Sequence, residues 1–287
     1  MYVLLGGHGY VGTAIQRFLA QQQLPFQVVS RSDVDYSSRD ALRTFLGETR
    51  PEFLINAAGF TGRPNVDACE LQKADCLDGN AVLPGVIRDV CENLKLPWGH
   101  VSSGCIYTGA KPDGSGFTEA DPPNFSFRQD NCSFYSGTKA LGEEVLDGAT
   151  QCYVWRLRIP FNEFNSPRNY ISKMINYDRL LDATNSLSHL GEFAAACVAC
   201  WTQKVDFGIY NLTNPGAVTT REVVNMIQQQ GLSDKQFSFF ETEEEFMKLA
   251  AATPRSNCVL DSSKAIAAGL PLSPVEDALQ MAMKNWK

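Results

Sequence analysis

Met1-Tyr-Val-Leu-Leu5-Gly6-Gly-His-Gly9-Tyr10-Val11-Gly12 opens the chain and decides its fold class. Residues 1–5 form a short apolar run with a β-branched residue, which marks a buried strand. Glycines at 6, 9 and 12 let the backbone turn sharply and approach a ligand closely. Residues 10–22 read as a helix, whose first N–H groups and positive dipole end face whatever lies over the turn. Glycine turns are common by themselves. Directly after a first strand, this one predicts a dinucleotide site, with Gly6, Gly9, Tyr10, Val11 and Gly12 along the pyrophosphate.

Outward from this turn the alternation continues. Strands are expected at 26–30, 53–59, 98–107, 152–159 and 207–212. Helices are expected at 40–46, 66–93 (broken near Gly79 or Pro84), 134–146, 170–179, 191–201 and 219–230. Thr219 and Glu222 stand at capping-box spacing before the last of these. Strand–helix alternation predicts an α/β protein with a Rossmann-type, doubly wound parallel sheet. After Pro160 the rhythm changes, which predicts a smaller C-terminal substrate-binding lobe. We expect the dinucleotide domain to comprise 1–159 plus 191–212, and the substrate lobe 160–190 plus 213–287. The Pro-, Gly- and Asp-rich stretch 108–131 reads as a long functional loop.

The 287 residues carry 25 Lys+Arg against 32 Asp+Glu, a net charge of −7. That balance excludes broad nucleic-acid binding, which needs a basic surface. No apolar run approaches the ~18–20 residues that span a bilayer, so no membrane partner is expected. A first strand starting at Tyr2 leaves no room for a signal peptide, and a cytoplasmic location follows as an expectation. Nine scattered cysteines are expected to be reduced thiols. Cys197-Val-Ala-Cys200 lies in an apolar helical run and reads as a buried face; with no second such pair, no metal site is expected.

Cofactor choice turns on the end of the second strand. An acidic residue there would take the ribose hydroxyl of NAD, and a basic one the 2′-phosphate of NADP. Ser30-Arg31-Ser32 leans toward NADP (NADPH), with NAD as the alternative. Asp35 is placed either at the adenine or simply in the loop. Ala57, Ala58 and Gly59 are small enough for a cofactor to lie close, or they form only a tight turn.

Ser103 ends an apolar strand, and Tyr135-Ser-Gly-Thr-Lys139 puts a phenol and an ammonium one helical turn apart. An ammonium near a phenol lowers its pKa, which makes Tyr135 a candidate acid for a carbonyl oxygen that receives a hydride. Ser103 would donate a second hydrogen bond to that oxygen. Together with the glycine turn, these residues resemble the extended short-chain dehydrogenase/reductase family over nearly the whole chain. Pro254-Arg255-Ser-Asn-Cys-Val-Leu-Asp261-Ser-Ser-Lys264 is similar to the closing segment of dTDP-4-dehydrorhamnose reductases.

A narrower resemblance is to the epimerase/reductases that finish UDP-rhamnose synthesis. It rests on Asn56-Ala-Ala-Gly-Phe-Thr-Gly-Arg63-Pro-Asn65-Val-Asp67-Ala-Cys-Glu70, Ser103-Gly-Cys105-Ile and Asn165-Ser-Pro-Arg168-Asn169-Tyr-Ile-Ser-Lys173. It implies a nucleotide-diphosphate sugar substrate, UDP-4-keto-6-deoxy-glucose, inverted at C3 and C5 and then reduced at C4 with NADPH. It also implies Cys105 and Lys173 as the epimerising acid/base pair, with a nearby cation lowering the thiol pKa. By itself Cys105 reads as a small buried thiol and Lys173 as a solvated helix lysine. His189 is a rival partner for the thiol; His8 and His100 read as structural.

Arg63, Asn65, Arg168, Asn169 and Arg255 are the candidates for holding the diphosphate and sugar. The 108–131 loop, Phe127–Asn131 and Phe161-Asn-Glu-Phe164 depart from the nearest pattern and leave nucleotide and sugar open. Two alternatives stand beside this function. One is a plain 4-reductase of dTDP-4-dehydrorhamnose type. The other is a non-catalytic NADP-binding subunit. By family analogy, helices near 66–93 and 134–146 would form a homodimer.

Overall fold

The structure is a computed structural model that describes residues 1–63 and 65–287; Pro64, within the quoted motif, lies outside the described residues. Its central sheet holds β1 (Tyr2–Leu5), β2 (Phe26–Val29), β3 (Phe53–Asn56), β4 (Trp98–Ser103), β5 (Cys152–Leu157) and β6 (Gly208–Asn211). All pair in parallel, in the order β6-β5-β4-β3-β1-β2. The helices are α1 (Tyr10–Gln21), α2 (Arg39–Thr49), α3 (Lys73–Leu77), α4 (Leu83–Leu94), α5 (Phe134–Val145) and α6 (Tyr170–Asn176). They continue with α7 (Leu190–Thr202), α8 (Thr220–Gln229), α9 (Glu243–Leu249), α10 (Ser263–Ala267) and α11 (Val275–Lys284).

Alternate strand residues feed two cores. Leu4, Ile55 and Trp155 pack with Ile15 and Leu19 of α1 and Phe193 and Cys197 of α7. Val3, Leu5 and Leu54 pack with Leu42 of α2 and Ile87 and Val90 of α4. Cys197 and Cys200 are fully buried in the first of these, on the apolar face. A third cluster, including Phe161, Ile171, Leu187, Val223 and Leu279, draws only on residues 161–283 outside the sheet.

Strand order reverses between β1 and β3, so their connections leave to opposite faces and open a crevice at the carboxyl ends. Gly6, at φ +72°, closes that crevice's floor: a Cβ there would stand 2.4 Å from the Ala58 nitrogen.

Two expected helices differ. The 66–93 segment is a 3₁₀ turn (Val66–Glu70), α3, a π-helical turn (Asp78–Val82) and α4. The wide turn carries Asn80 inward, where its amide holds both the N–H (2.9 Å) and the carbonyl (2.8 Å) of Phe60. The helix expected over 170–179 stops at Asn176; Arg179–Leu180 instead pairs with Ser238–Phe239, where Arg179 also meets Glu245 at 2.7 Å. The Thr219/Glu222 capping box forms in full. The 108–131 loop is pinned by the closing segment: Phe117 N–H donates to Val259 (2.9 Å) and Asp261 N–H to Phe117 (2.8 Å). Among the described residues, no helix is long and apolar enough to cross a membrane.

Helix α5 lies against the π turn so closely that a Cβ on Gly142 would stand 2.1 Å from the Asn80 carbonyl oxygen. Backbone cannot yield as a flexible side chain does. Gly142→Ala is therefore expected to cost about 1–3 kcal/mol of stability, read as a lower urea midpoint. An unchanged midpoint would mean that α5 backs away freely.

Candidate active site

The glycine turn presents a phosphate cradle. Gly9 N–H donates to the Gly6 carbonyl at 3.0 Å, and Thr13 N–H closes the first helical bond to Gly9 at 2.8 Å. The N–H groups of Tyr10, Val11 and Gly12 then have no intrahelical acceptor and face the turn. A Cβ on Gly12 would stand 2.2 Å from the Gly6 oxygen, so only glycine allows this approach. Asn56 shapes the opposite wall: its Oδ1 accepts the Ala58 N–H (3.0 Å), and its amide meets His100 Nδ1 (2.9 Å). Gly59 lies where a Cβ would meet the Asn80 side chain at 3.1 Å. These features fit a dinucleotide.

At the end of β2, Arg31 is exposed, its guanidinium 5.6 Å from the Tyr36 ring centroid. Asp33 organises this turn by accepting the Ser30 N–H (2.9 Å) and hydroxyl (2.6 Å). Asp35 bonds Ser37 in its own loop.

Ser103, Tyr135 and Lys139 come together where β4 meets α5. Lys139 is buried and donates to the Val101 carbonyl at 3.1 Å. Burial lowers its pKa, against the opposing charges of Cys105, Glu143 and Cys76. Tyr135 goes the other way from expectation. Burial holds its phenol well above the ordinary value, and Ser103 only partly offsets this. The lysine ammonium bonds a strand carbonyl and does not set the phenol's charge. A phenol with a raised pKa keeps its proton at neutral pH and can donate it.

Cys105 follows Ser103 in a short 3₁₀ turn that Ser103 caps, with Cys105 N–H to Ser103 Oγ at 3.2 Å. It is 5% exposed. The expectation of a lowered thiol pKa is corrected here. Burial outweighs Ser103, Lys139 and Arg158, and the pKa rises. Ser103 stands close enough to the Cys105 thiol and the Tyr135 phenol to lower both pKa values in part, which makes the three neighbours.

Residues of the 161–283 segment contribute further cations. Lys173 on α6 lines a cavity of about 390 Å³ with Asn165, Ser166, Pro167, Asn176 and Tyr177. Burial, then Arg168 and Arg255, lower its pKa. Arg168 reaches across to Thr61 (3.3 Å) and the Gly62 carbonyl (3.0 Å). Arg255 forks onto Asp67 at 2.5 and 2.7 Å, and holds that carboxyl below its usual range. Arg63 is exposed. Asn65 caps the 3₁₀ turn through Asp67 N–H at 2.8 Å.

Asn169 is engaged within the fold. It is fully buried, its Oδ1 caps α6 through Ile171 N–H (3.0 Å), and its amide bonds the Asn162 (2.7 Å) and Phe164 (2.8 Å) carbonyls. His189 caps α7 and stands 3.7 Å from Glu163. His100 is buried, its pKa pushed well below the ordinary value by burial and then Lys139, as suits a structural imidazole. Tyr10 hydrogen-bonds Asn162 Oδ1 at 3.2 Å and so links the glycine turn to the second lobe.

Three residues of this region escaped the sequence reading: Glu143, Arg156 and Arg158. The available signal was Arg156-Leu-Arg158 inside an apolar strand, since buried charge is costly without a partner. Arg158 bonds Asn185 (2.7 Å) and the Ser256 carbonyl, and so ties β5 to the closing segment.

Three comparisons bear on this arrangement. The family model described as RmlD substrate binding domain matches residues 1–287. A trifunctional UDP-glucose 4,6-dehydratase/UDP-4-keto-6-deoxy-D-glucose 3,5-epimerase/UDP-4-keto-L-rhamnose-reductase of Arabidopsis thaliana is 33% identical over 268 residues, 92% of this chain. The chain spans 39% of that relative's length. A bifunctional dTDP-4-dehydrorhamnose 3,5-epimerase/dTDP-4-dehydrorhamnose reductase of Arabidopsis thaliana is 33% identical over 270 residues, covering 92% of this chain and 85% of the relative. Among solved structures, the L780 UDP-rhamnose synthase of Acanthamoeba polyphaga mimivirus superposes with a TM-score of 0.89 at 22% identity, over 99% of this chain and 98% of that one. Other solved structures of this Rossmann-like fold hold NADP or NADPH.

Because Asn169 acts as a cap and loop clamp, Asn169→Ala should lower stability by about 1–2 kcal/mol, seen as a drop in Tm. A variant with wild-type Tm and weakened substrate binding would restore the ligand role.

Proposed function

The chain belongs to the RmlD substrate binding domain family, and we propose that it converts a nucleotide-linked 4-keto-6-deoxyhexose to the 6-deoxyhexose. The substrate we assign is UDP-4-keto-6-deoxy-glucose, with dTDP as the alternative nucleotide. The steps are 3,5-epimerisation followed by NADPH-dependent reduction at C4, giving the NDP-rhamnose. The observation that carries this reading is the clustering of Ser103, Cys105 and Tyr135 where β4 meets α5: Ser103 caps the turn that carries Cys105 and lowers the pKa of both the thiol and the phenol in part.

NADPH, when bound along the Gly6–Gly12 turn with Arg31 at its 2′-phosphate, supplies the hydride for C4. Tyr135 donates a proton to the C4 oxygen, Ser103 gives that oxygen a second hydrogen bond, and Lys139 places a positive charge beneath them. The same oxygen would carry enolate charge while C3 or C5 loses its proton. Inversion needs a base on one face and an acid on the other. Lys173, with a lowered pKa, has the neutral amine within reach and acts as base. Cys105, with a raised pKa, keeps its proton and acts as acid. Arg168 and Arg63 supply positive charge for the diphosphate. Arg255 joins them by exchanging Asp67 for phosphate. Nine unpaired thiols suit a reducing compartment such as the cytosol. A homodimer over α4 and α5 remains part of this reading by family analogy.

The deciding experiment is turnover of UDP-4-keto-6-deoxy-glucose with NADPH in D₂O, read by NMR. We expect a UDP-rhamnose product deuterated at C3 and C5. Cys105→Ala is expected to lose the inversion at C3 and C5 while still reducing the pre-epimerised sugar. An unlabelled, non-inverted product would leave a plain 4-reductase, and NADPH protected without being consumed would leave a binding subunit.

The pKa directions also set a pH profile. Lys173 is active once deprotonated, so exchange should begin to rise below the ordinary lysine range. Cys105 is active while protonated, so exchange should fall only above the ordinary thiol range. A bell-shaped exchange rate whose rising limb disappears in Lys173→Met supports the pair; a rising limb that survives that substitution removes Lys173 from it.

A further inference from the structure

Tyr135, Lys139 and Glu143 are spaced four apart on α5 and share one face. Glu143 is nearly buried, and so is its partner Arg156, with side chains 7% and 3% exposed. Arg156 Nη2 donates to Glu143 Oε2 at 2.7 Å, and Nε stands 3.1 Å from both carboxylate oxygens. Ser102 Oγ donates to Oε1 at 2.5 Å. Ser102 and Arg156 are register partners across β4 and β5, so three adjacent elements meet at one carboxylate. Arg156 also lies 5.3 Å from the Tyr107 ring centroid, and its Nη1 has no hydrogen-bond partner.

Stability does not explain such a pair. Desolvating two charges costs about as much as their attraction returns, and apolar replacements of similar volume are often neutral or better. Its location supplies the reason. Val101 accepts Lys139's ammonium at 3.1 Å, Ser102 bonds Glu143, and Ser103 is the next residue. Two successive residues of β4 are thus bolted to α5 immediately before the residue that serves the substrate oxygen.

Resting on the reduction assigned above, we propose that Glu143 is a positioning residue for that step. It locks β4 to α5 so that Ser103 and Lys139 meet in register, and its charge keeps Lys139 an ammonium. The groups facing Lys139 are His100 on β4, Cys105 just beyond it, Cys76 on α3 and Glu143 on α5, with Tyr135 on the same helix face by spacing; Arg156 on β5 reaches it through Glu143. Burial keeps His100 neutral and Cys105 protonated. Cys76 is drawn down to about 7 chiefly by its bond with Cys69, so its charge varies over the neutral range. Glu143 is the anion held in place by an ion pair.

The test is the pH profile of kcat for NADPH-dependent 4-keto reduction in the full chain. Glu143→Gln should cut kcat ~10-fold or more at neutral pH and move the alkaline limb down by about one pH unit, because Lys139 then loses its proton sooner. That variant leaves Arg156 uncompensated, so the double variant Glu143→Gln/Arg156→Met, which buries no lone charge, must show the same limb shift. Glu143→Asp keeps the charge but shortens the reach. It should slow kcat while leaving the limb at its wild-type position. An unmoved limb in both glutamine variants, or a loss no larger than the loss of folded protein, overturns the proposal. A folded wild-type chain that oxidises no NADPH would instead overturn the reduction reading on which it rests.

Discussion

Helix α5 reaches the end of β4 because Gly142 has no side chain. Its backbone sits where any Cβ would strike the Asn80 carbonyl at 2.1 Å. Asn80 is itself brought there by a π-helical turn, a device found often at functional sites. From that position its amide holds Phe60 on the β3 side and touches Cys76 (3.4 Å) and Thr138 (3.2 Å) on the other. One side chain therefore fixes the distance between the glycine-rich crevice and the helix bearing Tyr135 and Lys139. Catalysis by position requires this: a misplacement of about 1 Å can cost ~100-fold in rate.

Burial is the dominant electrostatic force at the site. It raises Tyr135 and Cys105 and lowers Lys139 and Lys173. Tyr135 and Cys105 keep their protons and Lys173 sheds its own more easily, while the charges facing Lys139 work against the same burial effect. Environments that push neighbouring groups apart in this way let one fold run acid and base chemistry together. The hydrogen bonds and opposing charges around each group moderate the burial effect without reversing it.

The 161–283 segment is tied to the sheet by polar contacts as well as by Ala265 and Leu270, which pack in the first core. Arg168 and Arg255 cross to the segment after β3, Tyr10 crosses to Asn162, and Arg158 clasps Asn185 and the Ser256 carbonyl. Residues 257–261 thread between the 108–117 loop and residues 185–186. Cations on the second lobe thus come to the mouth of the crevice already engaged by neutral carbonyls or by Asp67.

The sequence by itself determined the parts that depend on neighbours in the chain. The strand at 2–5, the glycine turn, the α5 spacing of Tyr135 and Lys139, the Thr219/Glu222 box and the burial of the Cys197/Cys200 face all follow from short-range pattern. What the tertiary structure decided is which polar side chains were free. Asn169 and Arg255 look alike as ligand candidates in sequence. Folding turns the first into a buried cap and sets the second on Asp67, a residue 188 positions away. Nothing in the sequence joins Glu143 to Arg156 until β4 and β5 pair and place both against Ser102. The pKa directions of Tyr135 and Cys105 were likewise set by three-dimensional packing. Desolvation depends on everything that surrounds a group, and linear spacing records only what precedes and follows it.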